Sequence, residues 1–139
     1  MIRTRTEIRV RYADTDQMRM VYYSRYFEYF EQGRSDLLRS VGLPYSRIES
    51  LGFHLPVAEA YARYLKPARF DDLLAVTTML RELPQARVRI EYELHDADSG
   101  ELLVTGHTCH SFIDAGTGRV SRPPAVFTEA LKKNFSHIG

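Results

Sequence analysis

Two carboxylates, Asp14 and Asp16, stand two residues apart in the segment Arg11-Tyr12-Ala13-Asp14-Thr15-Asp16. Before them, Ile8, Val10 and Tyr12 alternate with Glu7, Arg9 and Arg11, the period of a half-buried strand. Asp is a poor strand former, so the strand is expected to end here and leave both acids in a loop. Downstream, Ser24 is a good N-cap residue and marks the expected start of a helix. A carboxylate in such a place can serve as a general base on water or as a nucleophile. A helix start adds unbonded backbone N–H groups and the positive end of a dipole, which suit a developing oxyanion. Together these are the two parts needed to attack an activated carbonyl. The same acids also suit turn and capping hydrogen bonds, and residue type alone does not choose between the two roles.

Other chemistries have less support. In His107-Thr108-Cys109-His110, a strand would send the two histidines to opposite faces, so they would not grip one ion. No metal and no cofactor is expected. Cys109 is the sole cysteine, which rules out an intramolecular disulfide and an all-cysteine zinc site. The sequence has no Gly-rich phosphate loop, no zinc-protease motif and no Gly-x-Ser-x-Gly elbow.

Several elements must position the two acids. Tyr26, Phe27, Phe30, Leu37, Leu38 and Val41 recur at helical spacing and form one apolar stripe. A helix of about 18 residues, roughly 27 Å long, follows from this pattern. Gly42 is its expected left-handed stop, with Leu43 and Pro44 beyond. Ser46-Arg47-Ile48-Glu49 has capping-box spacing and predicts a short helix ending near Gly52. From Phe53 the period changes to two. Strands are expected around Val57 to Leu65, Leu73 to Leu83, Arg87 to His95 and Leu102 to Ile113. Turns fall at Asp96 to Gly100 and Asp114 to Gly118, and Pro123-Pro124 opens a terminal helix carrying Val126, Phe127, Ala130 and Leu131. Strands joined by short turns pair antiparallel, and their apolar face needs a cover. The reading is an α+β domain whose antiparallel sheet wraps around one long helix.

Composition bounds the rest. The chain has 139 residues, 44% hydrophobic and 27% charged, which fits one globular domain over 1–139. Lys plus Arg is 19 against 18 Asp plus Glu, a balance that argues against a nucleic-acid partner. No run of roughly 18 apolar residues predicts a membrane span, and the first residues lack the apolar core of a signal peptide. The cytoplasm is therefore the expected location. A chain of this length has little room for a deep pocket of its own, so a site shared between subunits is expected.

The stretch Tyr12, Asp14-Thr15-Asp16, Met20-Val21-Tyr22 and Arg25-Tyr26 resembles the signature of the hot-dog acyl-CoA thioesterases. The likeness is to the branch of the 4-hydroxybenzoyl-CoA and Tol-Pal-associated enzymes. A second stretch, Tyr64-Leu65-Lys66-Pro67-Ala68-Arg69-Phe70-Asp71-Asp72, is similar to a downstream segment of the same family. The resemblance implies hydrolysis of an acyl-CoA to a carboxylic acid and CoA, without a metal. It carries to Asp16 the role of base or nucleophile, and to Tyr23 the backbone N–H that polarises the thioester carbonyl. Tyr12 matches a tyrosine beside the active site. Glu31 matches an acidic helix residue facing the acyl pocket in some members. CoA phosphates imply basic residues, for which Arg87 and Arg89 are the matching candidates, with Lys66 and Arg69 as lesser ones. The turn Pro84-Gln85-Ala86 lacks the denser basic cluster of the 4-hydroxybenzoyl enzyme. Subunits of such proteins pair into homodimers or homotetramers with the substrate between protomers.

One departure stands out: Arg19 occupies a place where the family usually has Gly. Either Arg19 accepts a left-handed backbone at a cost of order 1 kcal/mol, or the loop takes another course. That departure favours, as the alternative reading, a non-catalytic acyl-CoA or acyl-carrier binding protein of the same fold.

Overall fold

Val88, Ile90, Tyr92 and Leu94 turn one way and Arg89, Glu91 and Glu93 the other, which makes β5 (Val88–Asp96) a strand with one core face. In the computed structural model, which describes residues 1–135, β5 is the middle strand of a five-stranded sheet. The other strands are β1 (Ile2–Arg9), β3 (Val57–Tyr64), β4 (Leu73–Leu80) and β6 (Leu102–His110). Their order is β1-β4-β5-β6-β3, antiparallel throughout. A second, small sheet joins β2 (Phe53–His54), β7 (Phe112–Asp114) and β8 (Val120–Ser121). The short strands β2 and β8 escape the sequence reading because two residues carry no period. The strand expected through Ile113 breaks after His110, and only its tail becomes β7.

The first strand is displaced from its expected place. It covers Ile2–Arg9 and stops before Val10 and Tyr12. Val10 instead donates its N–H to the Asp72 carbonyl at 2.9 Å, and Tyr12–Asp14 form a 3₁₀ turn. The apolar alternation ran on past the point where the backbone leaves the sheet.

The long helix α1 (Arg25–Ser40) covers the inner face of the sheet. Its last turn closes as the Gly42 pattern predicts. Gly42 sits at φ +78°, the Leu43 N–H reaches the Leu38 carbonyl at 2.9 Å, and the Gly42 N–H reaches Arg39 at 3.0 Å. Ser24 lies directly before the helix as expected, but its hydroxyl makes no capping bond and its backbone is already helical. The helix α2 (Tyr45–Ser50) and the terminal helix α3 (Ala125–Asn134) complete the domain. Phe127 of α3 packs edge-on to Phe112, with ring centres 4.7 Å apart.

Two glycines let α1 approach the sheet. A Cβ at Gly33 would overlap the Thr78 hydroxyl on β4 and stand 3.0 Å from a Val76 methyl. A Cβ at Gly106 on β6 would lie 2.6 Å from both the Phe30 ring and the Tyr61 carbonyl. Phe30 instead stacks on Tyr92 at 4.5 Å with the rings 8° from parallel.

Arg34 is a charged residue on the buried face of α1, unforeseen in the apolar stripe. Its Nε donates to the Tyr45 hydroxyl at 2.6 Å and its Nη1 to the Tyr92 hydroxyl at 3.0 Å. Tyr92 and Thr108 share a 2.6 Å hydrogen bond, and Thr108 lies 2.8 Å from His110 Nε2. His110 Nδ1 faces the Leu55 carbonyl at 3.3 Å. Arg34 can only donate and a carbonyl can only accept, so the chain has one direction. Tyr92 donates to Thr108, Thr108 to a neutral His110, and His110 to Leu55.

Burial, reinforced by the Arg34 charge, pushes the His110 imidazole down to about 4. Its ordinary value is 6.5, so the neutral ring stabilises the fold fully above that pH and progressively less as pH falls toward 4. The unfolding temperature should drop between about pH 7 and 4.5, and His110→Gln should drop less over that window. Equal slopes would contradict the role given to the ring. Separately, Gly33→Ala should cost about 1–3 kcal/mol in urea unfolding, despite alanine's better helix propensity. Adding Thr78→Ala should recover part of the loss.

Candidate active site

Asp14 and Asp16, alike in sequence, have separate duties. Asp14 is buried and fully engaged. Its carboxylate accepts the Arg11 Nη2 at 2.9 Å, the Arg11 backbone N–H at 3.2 Å and the Tyr29 hydroxyl of α1 at 3.0 Å. Burial by itself would raise this carboxyl, but the hydrogen bonds from Arg11 and Tyr29 outweigh it and hold the group below the usual carboxylate range. Burial and the neighbouring Asp14 charge push the Tyr29 phenol up in turn. Asp14 thus fastens the loop to the helix. That outcome matches the turn-and-cap role for one acid only.

Asp16 is exposed in the single chain. One oxygen, Oδ1, accepts the backbone N–H of Met18 at 2.8 Å and of Met20 at 3.2 Å. Its backbone N–H reaches the Met20 carbonyl at 2.9 Å. The other oxygen, Oδ2, accepts no hydrogen bond from a described residue. A small hairpin results, with Thr15 paired to Val21 and the Tyr22 N–H on the Asp14 carbonyl at 2.9 Å. At its tip Arg19 has φ +61°, so the arginine accepts the left-handed backbone and the loop keeps the course a glycine would take.

Tyr23 follows directly on this hairpin. The first bonds of α1 run from Arg25 to Tyr22, from Tyr26 to Tyr23 and from Phe27 to Ser24. The N–H groups of Tyr23 and Ser24 donate to nothing among the described residues. Tyr23 is 59% exposed, so its surroundings are open to a ligand. Tyr64 of β3 donates its hydroxyl to the Tyr23 carbonyl at 3.2 Å. Val21, Tyr23, Tyr26, Tyr64 and Leu65 line a shallow cavity of about 320 Å³ beside the helix start. Tyr64 and Tyr26 line this cavity too; sequence reasoning did not name them as candidates, although both stand in the motif stretches.

The two motif stretches are one structure. Val21 donates to the Ala68 carbonyl at 2.9 Å, Phe70 donates to Arg19 at 2.9 Å, and Met20 pairs with Arg69. Tyr26 accepts the Ala68 N–H at 3.0 Å. Tyr12 lies at this end, 68% exposed, with its ring edge-on to Phe70 at 5.7 Å.

The remaining candidates lie elsewhere in the single chain. Glu31 is exposed and lines a groove of about 400 Å³ with Glu28, Gln32, Ser35, Asp36 and Arg39. Glu31, which the resemblance matches to a residue facing the acyl pocket, thus stands on the outer face of α1 in the single chain. Its side of the helix turns to solvent, because Tyr29, Phe30, Gly33 and Leu37 take the sheet side. Arg87 and Arg89 sit where β4 and β5 meet, at the end of the sheet marked by Leu80 and Val88. Asp16 belongs to the opposite end, where Arg9 pairs with Leu73. About 25 Å of strand separates them. His107 and His110 do face opposite sides, His110 into the core and His107 against Tyr61, with ring centres 5.3 Å apart.

The profile of the Thioesterase-like superfamily matches residues 10–131. The acyl-CoA thioesterase YbgC of Haemophilus influenzae is 29% identical over 133 residues, covering 94% of this chain and 93% of that protein. Among solved structures, the DHNA-CoA thioesterase of Staphylococcus aureus superposes with a TM-score of 0.88 at 31% identity, covering 96% of this chain and 91% of that one. A hypothetical protein from Thermus thermophilus superposes with a TM-score of 0.86 at 37% identity, covering 94% of this chain and 98% of that one. The matched residues include the Asp16 hairpin, the helix start it leads into and the segment that pins it. With its five-stranded antiparallel sheet wrapped on α1, the chain is a hot-dog protein and belongs to the Thioesterase-like superfamily.

Proposed function

We propose that this chain hydrolyses acyl-CoA thioesters to a carboxylic acid and CoA at the Asp16 hairpin. The observation that carries this reading is a pair of unbonded groups at one end of α1. Among the described residues, Asp16 Oδ2 accepts no hydrogen bond while Oδ1 holds the loop, and the Tyr23 N–H has no acceptor. The Tyr23 N–H holds the oxygen of the thioester carbonyl as it gains charge. Asp16 takes a proton from the attacking water, or attacks the carbonyl carbon itself to give an acyl anhydride that water then opens. In both routes the thiol of CoA leaves and a carboxylate remains. Tyr12 and Phe70 wall the site, and Tyr64 steadies the Tyr23 peptide.

Arg87 and Arg89 join the same site through a second copy of the chain. Strand β3 is one of the two edges of the sheet, and on it Val57, Tyr61 and Tyr64 are about half exposed. Two copies paired along β3 by a two-fold axis run antiparallel, so the Val57 end of one meets the Tyr64 end of the other. Val57 shares a register row with His110 and Val88, next to Arg87 and Arg89. Tyr64 is bonded to Tyr23. Pairing therefore sets the partner's basic turn at the Asp16 end, where CoA phosphates need it. A dimer is sufficient for this, whether or not dimers pair further into a tetramer. Glu31 lines the groove on the outer face of α1 and takes the acyl group only from that side. Reliance on CoA esters places the protein in the cytoplasm. Among the described residues, no helix is long and apolar enough to cross a membrane.

Asp16→Asn keeps an oxygen for the Met18 and Met20 N–H groups but cannot take a proton. It should lower kcat for acyl-CoA hydrolysis about 10²–10⁴-fold with the unfolding temperature preserved. Near wild-type turnover would remove Asp16 from the chemistry, and CoA binding without hydrolysis by the unmodified chain would favour the non-catalytic reading. Paired Val57→Asp and Tyr61→Asp substitutions should convert a dimer to a monomer in sedimentation and reduce activity with it. A fully active monomer would contradict the shared site.

A further inference from the structure

The turn between β4 and β5 encloses a cavity of about 530 Å³ lined by Arg81, Arg87 and Arg89 together with Glu82 and Glu91. Its cations are poorly matched to acceptors. Arg81 Nε is paired with Glu91 Oε2. Among the described residues, the other two Arg81 nitrogens reach only thioether sulfurs, Met1 at 3.8 Å and Met79 at 3.5 Å, which are weak acceptors. Arg89 Nη2 stands 3.8 Å from Glu91 Oε1, an ion pair too long for a hydrogen bond. Arg87 has no hydrogen bond or ion pair among the described residues. One carboxylate, partly covered, is thus divided between two exposed guanidiniums, while the third, Arg87, has no partner among the described residues.

We propose that Glu91 is the affinity-setting counter-ion of this cradle, holding Arg81 and Arg89 at the cavity and yielding both to a phosphate of the substrate's nucleotide handle. The inference rests on reading this turn as the phosphate end of an acyl-CoA site, and it adds Arg81 to the two arginines named from sequence. A phosphate offers three oxygens to guanidinium forks that now share the two of Glu91. Until the phosphate arrives, Glu91 keeps the forks ordered. It also competes for them, so its charge opposes binding. Glutamine at this position retains a carbonyl oxygen for Arg81 Nε and removes the competing charge.

Glu91→Gln should therefore tighten binding of adenosine 3′,5′-bisphosphate, measured by titration calorimetry, by about three- to tenfold in a screened, solvent-facing site. The ratio of KM values for an acyl-CoA over the matching acyl-pantetheine, which lacks the nucleotide, should fall by a similar factor. Glu93→Gln removes the same charge two residues along the same strand face, outside the cavity, and should give a clearly smaller change. Unchanged or weaker bisphosphate binding in Glu91→Gln would overturn the proposal. An equal gain in Glu93→Gln would overturn it too, since the effect would then be a general field. If the wild-type chain hydrolyses neither ester, the thioesterase reading falls, while the bisphosphate titration still decides the role of Glu91.

Discussion

The helix α1 can lie against its sheet only where two side chains are missing. Gly33 leaves space for the Thr78 hydroxyl, and Gly106 leaves space for the Phe30 ring. Everything nearer the chemistry follows from that approach. With α1 close, Phe30 stacks on Tyr92 and Arg34 enters the core to start the hydrogen-bond chain through Tyr92, Thr108 and His110. The same seating sets Tyr29 over Asp14 and Tyr26 under Ala68. The N-terminus of α1 is therefore held by the sheet on one side and by the Asp16 hairpin on the other. A backbone N–H useful to an oxyanion must not move when charge develops, and this anchoring supplies that rigidity.

In the hairpin one carboxylate oxygen does structural work, and the other is the one given the proposed chemistry. Asp16 uses one oxygen to close its own loop and leaves the second open. Asp14, two residues earlier, has no oxygen to offer because Arg11 and Tyr29 occupy it. Arg19 tolerates φ +61° because the loop around it is fixed by pairing to residues 68–72. Its strain, of order 1 kcal/mol, is offset by those bonds.

Much of this was legible in the sequence. Periodicity located α1, and Gly42 marked its end. The strong alternation in β5 located the middle of the sheet. The resemblance found both motif stretches, and the structure supplies the physical reason they occur together, since each completes the other's backbone hydrogen bonds. What was not legible depended on distant partners. Arg34 reads as a polar interruption of a stripe until Tyr45 and Tyr92 meet it. By residue type alone Asp14 and Asp16 read as equivalent; the resemblance singles out Asp16, and only the fold shows Tyr29 engaging Asp14. β1 was misplaced at its far end because Val10 satisfies its N–H on Asp72, a residue far along the chain. Arg87 and Arg89 were named by likeness and lie far from Asp16 in one chain; the proposed pairing across the β3 edge is what would bring them to it.

That edge holds the account's central claim, a site built from two copies. It is tested most directly by mixing two inactive chains, one carrying Asp16→Asn and the other Arg87→Ala with Arg89→Ala. Random pairing puts both lesions in one site of each hybrid and leaves its second site intact, so acyl-CoA hydrolysis at low substrate should recover to about a quarter of the wild-type rate. A mixture no more active than its two components would contradict the shared site.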